Sequence, residues 1–582
     1  MSDTERRPAG TAEEDEDGDE IYVSPENMDY STVSYTPVAY DNLDAAPESE
    51  GQPDRGTDGA FKLLDLPKVP KLKYIVGPSA IMLGASLGSG ETLFWPTLVA
   101  RYGWALFGLF LLAALVHFVV NTEIQRWTLA TGESIFRGLE RLHPIVPLAL
   151  LVGGFISLGW PGWAASAAKI GAAGLSLGTY DIFGAQLAGW RLLGIVLMVF
   201  IWLTYHLTPL MYNAVERLQL LLVALSIFFA VVLFVLVGSV ETLAAIPANA
   251  RLTGTQLPFE TIAVLLGALA YAGAGGYLNL SQSLWIREKG YGMGRYQGRI
   301  KNPFAGDEPE TVHRDGFTFE PDRVNLERWR GWWRVTQLEH LLTFLVGLVV
   351  VTAILTSIAV TYAAGSTETA VDMWLVEIVP AVGPLAGSVI YISLFLALFT
   401  TEYAIVESFV RNSSDVIYEL YGREAGWSLP RLFWTLLTVF CGWGIVILLS
   451  PLAAEDPFGL LVVGASMSGL MMYPYILAIQ LVNTVRLPEH TMPGWGRVAS
   501  MWFAAGFFGY FSVLLTGTFL STRAGIAAFA VEPAIFGSAV GGYALWLGYV
   551  VVQVAVVYYV AKAKRAATGT VDDADRAKGW FS

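Results

Sequence analysis

Gly88, Ser89, Gly90 and Glu91 have the chemistry to hold an ion or a polar solute. They lie inside residues 74–100, an apolar stretch long enough to cross a bilayer, since about 20 helical residues at about 1.5 Å each suffice. Two glycines, a hydroxyl and a carboxylate suit a lipid-facing helix poorly. Glycine costs about 1 kcal/mol against alanine in a helix interior. A carboxylate at mid-depth costs about 2.5–3.5 kcal/mol. An interrupted helix is tolerated in a membrane where protein or a water-filled cavity takes up the freed backbone groups. Such freed amides and carbonyls are what a transporter uses to hold its cargo. The competing reading is an unbroken helix in which Gly84 and Gly88, four apart, form a packing face of small residues. Glu91 then snorkels or pairs with a neighbour.

A second cluster of the same kind is Ala272, Gly273, Ala274, Gly275 and Gly276, in the sixth apolar run. Three glycines in four residues are hard to reconcile with ordinary helix, though close packing through small residues is the alternative. Asn279 and Gln282 follow it and are placed to line an inner vestibule. Interruptions at corresponding places in two inverted halves point to a transporter's midplane site. Lys169 in the third run is a coupling or gating candidate: it pairs with Glu91, stands in for a coupling cation, or snorkels to the outer interface. Glu402, after Thr400 and Thr401, is an intramembrane carboxylate and so a candidate for proton or cation coupling, or else a hydrogen-bond partner of a neighbouring helix. Glu407 and Arg411, four apart, read as a gate or a surface ion pair. Ser466 and Ser468 read as packing serines. His206 and His340 read as interfacial, and the Trp–Arg mixture of residues 328–334 reads as an interfacial anchor.

The elements that must position these groups follow from composition. The chain has 582 residues, 54% of them hydrophobic, with a mean hydropathy of +0.51. Only 15% are charged, against about 25% in soluble proteins, which places the chain among multi-pass membrane proteins. Cys441 is the only cysteine, which excludes intrachain disulfides and thiolate-rich metal sites. Much of the net charge of −14 falls on residues 1–60, an acidic tail expected to be disordered and cytoplasmic. After residues 74–100, apolar runs near 103–130, 144–176, 191–208, 212–239, 257–287, 337–363, 383–411, 429–450, 457–485, 496–522 and 538–563 make twelve spans. Connections after even-numbered spans carry the Lys and Arg excess: Arg126, Arg137 and Arg141, then Arg217, then a dense set across 287–336, then Arg423 and Arg431. That alternation places both ends in the cytoplasm. Residues 290–295 are glycine-rich but lack the Gly-Lys-Ser/Thr ending of a phosphate loop, and no catalytic motif occurs, so neither ATP drive nor an enzyme is expected.

The Gly77-Pro78 opening, the run Gly84-Ala85-Ser86-Leu87-Gly88-Ser89-Gly90-Glu91 and the run Ala272-Gly273-Ala274-Gly275-Gly276 resemble the Nramp metal-ion transporters, more closely the Nramp-related branch without the metal-transporter motifs. The resemblance covers roughly residues 71–485. It implies an all-α multi-pass fold: a five-plus-five inverted repeat of the amino acid–polyamine–organocation type, residues 71–240 and 257–485, then two additional helices in 496–563 and a tail in 564–582. It also implies alternating access around unwound first and sixth helices, with Gly88, Ser89, Gly90, Glu91, Ala272, Gly273, Ala274, Gly275 and Asn279 as the substrate site. The chain departs from the family where Asp-Pro-Gly-Asn and Met-Pro-His-Asn would stand. Glu91 remains as the one hard oxygen for a metal, which points to a hard divalent cation rather than a soft one. A small organic solute such as an amino acid, or a membrane sensor without transport, are the alternatives. No cofactor is expected beyond a coupling proton or sodium ion; the partners expected are lipid and the transported ion or solute, and no nucleic acid.

Overall fold

A bilayer offers backbone groups no water, so long apolar runs fold as helices that satisfy their own amides and carbonyls. The computed structural model describes residues 61–70, 76–182, 184–206, 210–251, 257–303, 312–453, 457–535 and 537–567. The acidic tail, Lys71, Lys73, the Thr208-Pro209 boundary and residues 568–582 lie outside them. Among the described residues nine helices are long and apolar enough to span a membrane, and two shorter apolar ones join them. With the interrupted first helix they make the expected twelve.

The first helix, α1, runs as Pro78–Ser86, a π-helical segment Leu87–Phe94, and Trp95–Tyr102. Then come α2 (Ala105–Thr131), α3 (Ile145–Leu158 and Gly162–Gly174), α4 (Gly189–Thr204) and α5 (Met211–Val237). A second set follows: α6 (Ile262–Tyr271 and Ser281–Lys289), α7 (Arg323–Ala363), α8 (Pro384–Gly422), α9 (Leu429–Leu449) and α10 (Pro457–Val485). The chain closes with α11 (Trp495–Arg523) and α12 (Val540–Ala567). The interrupted helices α1 and α6 thus open two successive sets of five.

Strands are few. β1 (Lys62–Leu63) precedes α1; β2 (Thr179–Ile182) and β3 (Ala185–Ala188) form a hairpin between α3 and α4; β4 (Phe317–Thr318) pairs in parallel with β1. The β1–β4 pairing stitches residues 61–70 onto the connection between α6 and α7. Leu66 N–H donates to Asn325 Oδ1 at 2.9 Å, Arg328 donates to the Leu66 carbonyl, and Trp332 Nε1 donates to the Pro67 carbonyl at 2.7 Å. The Trp–Arg stretch of residues 328–334 is therefore not an interfacial anchor. It is helix continuous with α7, and Trp329, Trp332 and Trp333 are buried, with the Arg126 guanidinium 3.9 Å over the Trp333 ring. α11 docks through Glu123 of α2, which takes Arg126 at 3.0 Å and Arg497 at 2.8 Å.

Candidate functional site

Thr401 of α8 is what interrupts α1. In an α-helix the Gly88 N–H would bond the Gly84 carbonyl, four residues back. Here it donates to Thr401 Oγ1 at 2.8 Å, and that hydroxyl donates to the Gly84 carbonyl at 2.9 Å. A hydroxyl from another helix is inserted into the bond, and the chain continues with the wider π-helical turn. The sequence led to the expectation that α1 unwinds here; instead it is wedged and stays wound. The approach needs glycine: a Cβ at Gly88 would lie 2.7 Å from the Thr401 Cβ and from the Ala397 carbonyl. Thr401→Val keeps the shape and removes both hydrogen bonds. The Gly88 N–H and the Gly84 carbonyl then lose their shared partner, so we expect a stability loss of about 1–3 kcal/mol in thermal unfolding, with a transport loss of at least roughly tenfold in vesicle uptake.

α6 does come apart, and two other helices hold it open. His117 Nε2 of α2 is 3.0 Å from the Leu269 carbonyl, the acceptor Gly273 N–H would use in a continuing helix. A carbonyl only accepts, so that ring nitrogen carries the proton. Nδ1 is then bare, and it is buried without a partner. Met472 Sδ of α10 accepts the Gly276 N–H at 3.1 Å. Between these points Ala272 still bonds Ala268 at 2.9 Å, Gly275 reaches back to Ala270 at 2.7 Å, and Ala274 (φ 52°) and Gly276 (φ 84°) turn left-handed. A Cβ on Gly275 would lie 2.6 Å from Met472 Sδ and 2.8 Å from His117 Cε1. The sequence around Gly273–Gly276 lacks an imidazole and a thioether; the fold delivers both from α2 and α10.

The two interruptions touch. Gly90 packs on the main chain of Tyr271, whose carbonyl a Cβ would approach to 2.5 Å. Beside Gly90, Ser89 and Glu91 are fully buried, and Ser89 Oγ and both Glu91 carboxylate oxygens have no hydrogen-bond partner in the protein. An ionised carboxylate cannot stay so at this depth: it takes a proton or a cation. Trp374, from the connection between α7 and α8, donates Nε1 to the Thr92 carbonyl at 2.9 Å and covers the site on the face away from β1. Further out, Phe94 packs edge-to-face on Phe458 at 5.8 Å. Both rings border a cavity of about 60 Å³ that also meets Thr97, Arg101 and Glu368. On the β1 face, Arg411 joins Glu407 and Glu288 (2.6 Å), and Tyr205 donates to Glu407 at 2.7 Å. This is a fully buried cluster and not a surface pair.

The other expected site residues are dispersed. Glu402 accepts from Ala164 N–H at 3.0 Å, which caps the second half of α3, where the chain restarts after Pro161. Lys169 does not reach Glu91; it pairs with Asp372 at 2.8 Å, both partly exposed at the far face, because the second half of α3 points it outward. Asn279 and Gln282 line no open vestibule. Asn279 donates to Asn121 Oδ1 of α2 at 3.0 Å, and both residues are fully buried. Gln282 and Gln125 each keep an amide with no partner, as does the Asn121 side-chain nitrogen. Buried amides without partners cost about 1–3 kcal/mol each, so this strip is a place for water. His340 is buried as well, not interfacial. Thr401, His117 and Met472 escaped sequence reading. His117 had a signal, an imidazole well inside an apolar run; a threonine or methionine there carries none.

No protein-family model matches the chain, and no curated protein matches it in sequence. Solved structures do match. A histidine-to-alanine mutant of the Eremococcus coleocola manganese transporter superposes with a TM-score of 0.58 at 11% identity, over 86% of this chain and 98% of that one. The same transporter in complex with an aromatic bis-isothiourea substituted compound gives 0.55 at 12%, over 86% and 98%. This chain shares that fold. The multi-pass all-helical architecture expected from the sequence is therefore the one adopted. Among the described residues no three His, Cys, Asp or Glu side chains converge.

Proposed function

We propose that this protein is a secondary transporter that moves a divalent cation across the cell membrane by alternating access, with both termini cytoplasmic. The observation that carries this reading is Glu91: a carboxylate with both oxygens unpartnered, buried where two interrupted helices meet. The closeness of Gly90 to Tyr271 favours an ion over an organic solute, since the two main chains are already in contact. One carboxylate with oxygen donors suits hard, partly hydrated cations such as Mg²⁺, Ca²⁺ or Mn²⁺. The fold likeness to a protein described as a manganese transporter supports the class. Glu402, on the helix that wedges α1, is the candidate coupling carboxylate and Lys169–Asp372 a candidate outer gate.

The test is uptake of Mn²⁺, Mg²⁺ and Ca²⁺ into vesicles containing the purified protein, under imposed proton or sodium gradients, alongside thermal unfolding. Binding stabilises by about 2.7 kcal/mol at about 100 times the dissociation constant. One of the three ions should both shift unfolding and accumulate. If none does either, the cation reading is wrong.

A further inference from the structure

We propose that Glu339, Ser79 and His340 form a proton-loading site at the foot of α1, and that filling it releases the first half of that helix. The proposal supplies a coupling site for the transporter reading and rests on that reading for its purpose. Gly77 and Pro78 start α1 with no cap of their own. The cap comes from α7: Ser79 N–H donates to Glu339 Oε1 at 3.3 Å, and the Ser79 hydroxyl donates to Glu339 Oε2. An ionised carboxylate at a helix N-terminus complements its partial positive charge.

The hydroxyl of Ser79 has one proton, and it points at Glu339. The 2.9 Å contact between Ser79 Oγ and His340 Nδ1 is therefore donated by the ring. Nε2 of His340 is then a bare acceptor, and it is buried without a partner. The ring is fixed between Phe118 (5.6 Å) and Phe344 (4.5 Å), both stacked. A proton arriving at Nε2 makes the imidazolium. As the Nδ1 proton passes to Ser79 Oγ, the Ser79 proton passes to Glu339 Oε2. The products are neutral His340 with its proton on Nε2, intact Ser79, and a neutral Glu339 carboxyl. One proton is bound and the charge that held the α1 amide is gone.

The surroundings leave Glu339 as the group to neutralise. On its side stand Tyr212 and Glu216 of α5 and Lys289 of α6, and Lys289 is committed to Glu216 at 2.6 Å. Arg411 and Glu288 act on the same tyrosine from further off and belong to their own cluster. On the His340 side stand Arg497 of α11 and His117 of α2. His117, with its own bare Nδ1, lies at the α6 interruption.

Hydrogen–deuterium exchange of the full-length protein in nanodiscs tests this, following peptides that cover residues 76–90. Rates are compared between about pH 7.5 and about pH 5.5, after correction for intrinsic exchange. Wild type should exchange roughly fivefold or more faster in this segment at the lower pH. Glu339→Gln should be fast at both values. His340→Gln and Ser79→Ala should lose the pH dependence. If His340→Gln and Glu339→Gln both keep the wild-type pH ratio, the proposal is overturned. Should Glu339→Gln not fold, His340→Gln decides alone. The readout needs no transported ion: a flat wild-type profile sinks the relay even if Mn²⁺ is carried, and failed Mn²⁺ uptake leaves it standing.

Discussion

Glu91→Gln is expected to abolish cation uptake while leaving the protein at least as stable as wild type. The carboxylate is buried with neither oxygen bonded to protein, so the folded apo protein gains nothing from its charge. An amide of the same shape needs neither a proton nor a cation to be buried there. A bound divalent cation loses its one ionic ligand. Removing one member of a buried charge pair costs about 3–5 kcal/mol, which is at least about 100-fold in affinity. Vesicle uptake should fall by that factor, and stabilisation by the wild-type cation should vanish from thermal unfolding. Glu91→Asp, which keeps the charge one methylene back, should retain partial uptake. A Glu91→Gln protein that transports at the wild-type rate would remove this residue from the site. One that unfolds markedly earlier than wild type would show instead that the carboxylate holds the fold.

Arg411→Met is expected to have the largest effect on stability. The guanidinium lies between Glu407 and Glu288, with all three side chains buried, and its face covers the Phe433 ring at 5.4 Å. Methionine fills much of the volume and leaves two carboxylates without their cation. The cost should be about 3–5 kcal/mol, read as a lower midpoint in denaturant or thermal unfolding. Lysine should rescue little, since one ammonium cannot reproduce two guanidinium contacts in different directions. The triple substitution Arg411→Met, Glu407→Gln, Glu288→Gln should recover most of the loss, because the penalty comes from uncompensated charge and not from a missing attraction. A single Arg411→Met variant with the wild-type midpoint would contradict this account. The cluster joins α6 and α8 on the β1 face, so the triple variant should also leak: neutral groups hold that face shut less firmly.

The twelve spans were legible because the bilayer makes apolar length a direct readout of helix. The split between α4 and α5 was found, although its Thr208-Pro209 marker lies outside the described residues, since the hydropathy on either side sufficed. The two interruptions were found from glycine clusters, which mark where main chains approach each other. What the glycines did not say was how each helix would yield. α1 keeps its winding because a threonine hydroxyl satisfies both freed groups, whereas α6 opens because its neighbours offer a ring and a thioether at separate points. Lys169 kept three readings open for a related reason. Depth along a span can be counted from sequence, but the direction a side chain leaves its helix depends on tilt and on the neighbouring loop, here the one carrying Asp372.

Residue order alone determined that this chain crosses the membrane many times, that its first and sixth helices are weak at their centres, and that a carboxylate is buried at one of those points. These are consequences of local composition: apolar length, glycine frequency and a charge in a place without water. Only the tertiary structure decided which groups fill the gaps. Thr401, His117, Met472 and Glu339 lie far along the chain from the backbone they hold, and the partner of a freed amide is chosen by whichever side chain the packing brings within about 3 Å.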